Sequence, residues 1–234
     1  VSNASRWEKP MQSYTPPRGT GSTKDYDRAI RLWAREKRWR AAMLAALAPK
    51  AGETVVDVGC GTGSFALMLK QAEPRTQVIG LDPDAEALDI ARHKAAVRRA
   101  DIDWRQGFAR DVAPGAADAV VSSLVLHQMP VREKAATLRA MFAMLRPGGR
   151  LVIADYGRQQ GFMRLAFRLT VQRLDGIDDT RPNADGVLPG LIAAAGFRHV
   201  AETFRLLTIT GAIDLFTAHR PAQDHGLTVA NDLG

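Results

Sequence analysis

This sequence predicts an α/β fold built on a doubly wound, mostly parallel sheet, and three observations predict it. Between residues 54 and 155, short runs rich in β-branched residues alternate with longer segments of helical period. The first run, Val55-Val56-Asp57-Val58, leads into Gly59-Cys60-Gly61-Thr62-Gly63, where glycines let a strand turn sharply into a helix and bring backbone close to a ligand. A second run, Thr76-Gln77-Val78-Ile79-Gly80-Leu81-Asp82, ends in an acid nineteen residues past Gly63, the distance at which a carboxylate meets ribose hydroxyls.

The elements follow in order. Residues 8–22 contain Pro10, Pro16, Pro17, Gly19 and Gly21 and read as a loop or mobile arm. From Lys24 to Leu47 a helix is expected, with Ile30, Trp33, Ala34, the stem of Lys37, Ala41, Leu44 and Ala45 on its buried face. Its other face carries Arg28, Arg31, Arg35, Arg38 and Arg40, for solvation or for contact with an anionic membrane surface or acidic substrate. The core then reads as strand 54–59, helix 63–72, strand 77–81, helix 84–99, short strand 102–106, strand 118–123, helix 131–145 and strand 150–155. Pro83 and Asp84 open the second of these helices, and Arg146-Pro147-Gly148-Gly149 closes the third. Beyond the fifth strand, Gly157 to Leu174 reads as one inserted helix and Pro182 to Ala195 as another, stopped by Gly196. Strands 198–206 and 208–218 are joined at Leu207, and 221–234 reads as a loose tail.

At 234 residues the chain suits one α/β domain with an N-terminal extension. The net charge of +7 raises the question of nucleic acid, but the arginines are spread over many faces and aromatics are only 6% of residues, which argues against it. One cysteine, Cys60, excludes an internal disulfide and a multi-cysteine metal site and suits a reducing compartment. No apolar run reaches the roughly 18 residues of a membrane span and no signal peptide is recognisable. The chain is therefore expected in the cytoplasm, as a monomer or homodimer.

The glycine spacing decides between cofactors. A dinucleotide fingerprint would place its third glycine at position 64, where Ser64 stands, and usually lacks an acid on the preceding strand, where Asp57 stands. A nicotinamide-dependent oxidoreductase is opposed on that ground. The run Asp57 to Gly63, the acid Asp82, and the blocks Ser122 to Pro130 and Leu145 to Ile153 together resemble the class I S-adenosylmethionine-dependent methyltransferases. Within them the chain is most similar to the ubiquinone and menaquinone methyltransferase-like branch. The resemblance implies a Rossmann-like sheet whose last two strands are antiparallel. It also implies a flexible arm over 1–23, a lid helix over 24–50, a methyltransferase domain over 51–220 and a tail over 221–234. The cofactor implied is S-adenosylmethionine, with S-adenosylhomocysteine as product, and the partner a small acceptor, apolar or aromatic. An RNA or protein methyltransferase is the alternative, opposed for base amines because Ser122-Ser123-Leu124-Val125 stands where an Asn-Pro-Pro-Tyr-like tetrapeptide would follow strand four.

The same resemblance assigns candidate site residues. Gly59, Cys60, Gly61 and Gly63 would approach the methionine half of the cofactor, Asp82 with Pro83 would hold the ribose, and Ser122 would lie beside them. Asp57 would meet the ligand or bond the amides of its own loop. Where the family often sets an acid against adenine, this chain has Gln106-Gly107-Phe108-Ala109, so Phe108 stacks on the ring or fills core, with Ala109 beside it. His127 is the candidate catalytic base, or else a helix-start histidine bonded to backbone. Asp155 and Tyr156 would orient an acceptor hydroxyl or serve packing, and they supply no carboxylate cluster for a metal. The stretch Phe162 to Leu169 would roof the acceptor pocket or be core.

Overall fold

The computed structural model describes residues 36–222. The proline-rich arm, residues 24–35 of the expected lid helix and the tail from 223 lie outside them. The strands are β1 (Thr54–Val58), β2 (Gln77–Asp82), β3 (Asp103–Gln106), β4 (Ala117–Ser123), β5 (Leu145–Tyr156), β6 (Arg198–Thr208) and β7 (Gly211–His219). They form one sheet in the order β3-β2-β1-β4-β5-β7-β6. β1 is parallel to both neighbours, with Val56 opposite Ile79 and Val120, whereas β7 runs antiparallel between β5 and β6.

The sheet is covered on both sides, which is why its central strands read as continuous apolar runs. Successive side chains on β1 enter different cores. Val55 joins Phe65, Leu69, Val121 and Val152 on one face, and Val56 joins Ile79, Val120, Leu138 and Ile153 on the other. Helices α2 (Ser64–Ala72) and α3 (Ala85–Arg98) follow the first two strands, and α4 (Val131–Met144) precedes β5. α3 starts where Asp84 accepts from the amides of Glu86 and Ala87, as a capping aspartate should.

Helix α1 (Glu36–Leu47) buries Glu36, Trp39, Met43 and Leu47, not the face of Lys37, Ala41, Leu44 and Ala45 read from the sequence. The longer side chains at 39, 43 and 47 remove more apolar surface from water, roughly 1.5 to 3 kcal/mol each, and so set the rotation of the helix. Its C-terminus is tied to β5 because Arg150 donates to the Leu47 carbonyl (2.8 Å) and pairs with Glu53 (2.6 Å).

The inserted region departs from the expected pair of helices. It forms α5 (Gly161–Leu169), α6 (Val171–Asp175), α7 (Ile177–Asp185) and α8 (Leu188–Ala194). The first break falls at Thr170, whose hydroxyl lies within bonding distance of the Ala166 and Thr210 carbonyls. Gly186, in the left-handed region at φ 89°, ends α7, and Pro182 lies inside that helix instead of opening one. The last hairpin turns at Ile209 and Thr210, two residues beyond Leu207, because β6 extends to Thr208. β5 begins at Leu145, opposite Ala117, and the Pro147-Gly148-Gly149 stretch is accommodated by a register shift before Ala119 meets Arg150.

Candidate active site

β1 and β4 lie side by side while their helices pack on opposite faces, and ligands of open α/β sheets bind where the order reverses in this way. A cavity of about 290 Å³ opens there. The glycine turn, the end of β2, residues 107–109, the turn after β4, and parts of α1, α4 and α7 line it.

The three glycines of the turn share positive φ but not surroundings. A Cβ on Gly61 (φ 51°) would meet no atom within 4 Å, and Gly61 lines the cavity. One on Gly59 (φ 71°) would stand 2.3 Å from a Val125 methyl, and one on Gly63 (φ 74°) 2.4 Å from the Trp104 ring. Gly59 and Cys60 line the cavity, but Gly63 does not, and its lack of a side chain makes room for Trp104. Burial and the nearby Asp57 and Asp82 charges push the Cys60 thiol far up, away from reactive thiolate.

Asp82 lines the cavity with Pro83. One of its oxygens accepts from the Gly61 amide (2.8 Å) and the other from the Asp84 amide (2.9 Å), which locks the carboxylate and leaves each oxygen a further lone pair. Ser122 is absent from the cavity wall and donates to the Val58 carbonyl (2.8 Å), holding β4 against the end of β1.

Asp57 is fully buried behind the turn, and neither carboxylate oxygen has a hydrogen-bond partner among the described residues. Burial raises its pKa to about 7, and the Asp82 charge adds to this, although Arg40 opposes it. The wall itself carries five acids, Glu36, Asp82, Asp84, Glu133 and Asp179, against one cation, Arg40, which pairs with Glu36 at 2.8 Å. In a chain of net charge +7, an acidic cavity is a local feature suited to a cationic ligand. An open glycine cradle, a locked carboxylate with spare lone pairs and this surplus of acid fit S-adenosylmethionine, a nucleoside that carries a sulfonium.

His127, Asp155 and Tyr156 lie elsewhere: none of the three lines the cavity. His127 is 2% exposed, with Nδ1 2.8 Å from Asp155 and Nε2 3.5 Å from Asp175. Burial alone would push its pKa down, but the charge of Asp155 and the bonds to Asp155 and Asp175 outweigh it and carry it to about 9. A shift in that direction favours the imidazolium over the neutral ring, the form that would accept a proton. Asp155 accepts from the amides of Val125 (3.1 Å) and Leu126 (2.7 Å), and its other oxygen from Tyr156 (2.7 Å). The Tyr156 hydroxyl meets Thr210 at 2.8 Å, and burial raises its pKa although that bond opposes the rise.

Several wall residues escape the sequence reading. Glu36, Trp39 and Arg40, which lie in the expected lid helix but are not among the candidate site residues, line the cavity, whereas no residue of α5 reaches it and Asp179 of α7 does. Lys134 is fully buried and donates to the carbonyls of Met129 (2.6 Å) and Asp179 (2.7 Å), tying α7 to the turn after β4. Burial lowers its pKa to about 8. A signal existed, because Lys134 occupies the stripe of Leu138, Met141 and Met144, where an apolar residue is the rule. Gly107, Phe108 and Ala109 line the side expected for adenine, and the Arg110 guanidinium lies 4.3 Å from the Phe108 ring centroid.

Sheet order, switch-point cavity and glycine turn define an α/β enzyme that binds a nucleoside cofactor. Residues 55–149 match the methyltransferase domain family. The demethylmenaquinone methyltransferase of Thermus thermophilus is 31% identical over 183 residues, covering 76% of this chain and 79% of that protein. The ubiquinone/menaquinone biosynthesis C-methyltransferase UbiE of Syntrophotalea carbinolica is 26% identical over 195 residues, with 76% and 81% covered. Phosphoethanolamine N-methyltransferase 2 of Haemonchus contortus, solved with S-adenosyl-L-methionine, shares the fold at a TM-score of 0.63 and 16% identity, with 79% of this chain and 52% of that one covered. The chain belongs to the class I S-adenosylmethionine-dependent methyltransferases, in the branch of the ubiquinone and menaquinone enzymes, and S-adenosylmethionine is its cofactor.

Proposed function

We propose that the acceptor is a small aromatic molecule, with a quinol the favoured class. The observation that carries this reading is the wall beyond the glycine turn, where Leu124, Val125, Met129 and Pro130 make an apolar surface interrupted by Glu133, Thr137, Gln128 and Asp179. Relatives named for menaquinone and ubiquinone synthesis support the same class.

In this reading Asp82 accepts from the ribose hydroxyls, and the backbone of Gly59 to Thr62 meets the methionine half. Asp57 faces the positive charge of the cofactor from behind the turn, and Phe108 flanks adenine. S-adenosylmethionine supplies, when bound, a methyl on a sulfonium that leaves as a neutral thioether, so no covalent nucleophile on the protein is required. Placement of the acceptor is the main task left to the protein. Methylation at a ring carbon forms a carbon–carbon bond and releases a ring proton, for which the Glu133 and Asp179 carboxylates are the acceptors on the wall. His127, Asp155 and Tyr156 act behind them as positioning residues that fix the turn after β4.

Incubation with radiolabelled cofactor and a reduced 1,4-naphthoquinone bearing a short isoprenoid tail tests the reading. Label is expected in the extracted quinone, with Glu133→Gln lowering kcat more than it raises cofactor Kd. Label that enters cellular protein or RNA and not the quinone would refute it.

A further inference from the structure

Seven of the ten large apolar side chains exposed among the described residues fall between Phe162 and Ile209. Phe162, Leu165 and Leu169 belong to α5, Leu174 and Ile177 follow on α6 and α7, and Ile209 lies in the β6–β7 turn. These pieces are neighbours. Thr170 bonds the Thr210 carbonyl at 3.2 Å, and Phe167 packs where a Gly211 side chain would stand. At about 100° per residue, Phe162, Leu165 and Leu169 share an arc of roughly 60° on the side opposite the buried Phe167. Phe162 is 75% exposed, so α5 is apolar toward the core and again toward the outside. Single exposed leucines are ordinary, but a contiguous apolar stripe marks a surface that meets something.

Charge selects the partner. From Gly157 to Leu174 the chain holds Arg158, Arg164, Arg168 and Arg173 and no acid, whereas beyond it Asp175 turns in to His127 and Asp178 is exposed at the start of α7. Arg164 pairs with Asp185 at 2.7 Å, while Arg168 and Arg173 are exposed and make no ion pair among the described residues. A second copy docked through a two-fold axis would bring a second set of these arginines to the same interface. Residues 1–35 carry seven basic and three acidic side chains, so that segment would also bring like charge. An anionic lipid surface answers both features, because the stripe can enter the acyl boundary while the guanidinium groups stay at the phosphates.

We infer that α5, with the β6–β7 turn, is a docking surface for anionic membranes. α7 packs on the turn Leu126–Gln128 and places Asp179 on the cavity wall, so the docked face adjoins the acceptor end. The inference rests on the proposed apolar acceptor only for its purpose, as delivery from the bilayer.

Flotation of the full chain with vesicles of phosphatidylcholine and phosphatidylglycerol in equal parts, compared with phosphatidylcholine alone, tests it without cofactor or acceptor. The chain should float with the anionic vesicles and be released by salt. Phe162→Ser combined with Leu165→Ser, and separately Arg168→Glu combined with Arg173→Glu, should each weaken binding by about tenfold or more. Both variants should keep the melting temperature and S-adenosylhomocysteine affinity, since the four residues are exposed and none lines the cavity. A wild-type chain that stays unbound, or serine variants that bind as well as wild type, would overturn the inference. So would a wild-type dimer that the serine variant converts to monomer, because the stripe would then belong to a second copy. Methylation of the quinone is read in a separate assay, so either result stands without the other.

Discussion

Substituting the glycines of the turn one at a time separates a backbone that meets the cofactor from one that only packs. Gly61→Ala places a methyl where no protein atom lies within 4 Å, so its cost to folding is the left-handed strain alone, about 1 to 2 kcal/mol. For a chain of this size that lowers Tm by about 2 to 8 °C. Gly63→Ala carries the same strain and also sets a methyl 2.4 Å from the Trp104 ring and 2.9 Å from the Ala91 Cβ. The indole must then shift, at about 1 to 3 kcal/mol more. Differential scanning calorimetry and titration with S-adenosylhomocysteine read the two quantities independently. Gly61→Ala should lose about tenfold or more in affinity with the smaller fall in Tm, and Gly63→Ala should show the larger fall with folded-state affinity within about threefold of wild type. Wild-type affinity in Gly61→Ala, or a Gly63→Ala chain that is as stable as wild type yet cannot bind, would refute the division of roles.

Asp82→Ala should weaken cofactor binding by about 1.5 to 3 kcal/mol, the range for bonds to a charged group, and Asp82→Asn by less; an unweakened alanine variant by calorimetry removes Asp82 from the site. The folded-state pKa of Asp57 lies at about 7, above its ordinary 3.8, so the native chain holds an extra proton between those values and loses stability as pH climbs through them. That loss is about 4 kcal/mol at most, and Asp57→Asn should flatten the slope of denaturant midpoint against pH; an unchanged slope would show that Asp57 ionises freely. For His127 the folded pKa of about 9 exceeds the ordinary 6.5, so its contribution is complete below about pH 6.5 and is lost as pH rises through 9. Ring carbon shifts in a nuclear magnetic resonance titration should therefore show imidazolium at pH 7.5, and a midpoint near 6.5 would restore it as a candidate base.

What was legible in the sequence is what depends on near neighbours along the chain. The strand 55–58, its glycine turn, the acid at the end of β2 and the Asp84 cap are all short-range patterns, because strand period, left-handed turns and helix ends are properties of a few consecutive residues. The antiparallel final pair came from resemblance, and its turn was misplaced by two residues because nothing local to Leu207 marks where β6 stops pairing. Only the tertiary structure decided the roles inside the motifs. Gly61 and Gly63 look alike in the sequence, yet Trp104 from β3 makes one a packing position. His127 stands in the sequence as a candidate base or a helix-start histidine, and only the fold shows Asp155 and Asp175, from two other elements, at its two nitrogens. Lys134 stands in the apolar stripe of α4, and only the fold shows the Asp179 carbonyl, 45 residues away, that its ammonium group meets. Desolvation and charge act through space, and the distances that govern them exist only once the chain has brought separate segments together.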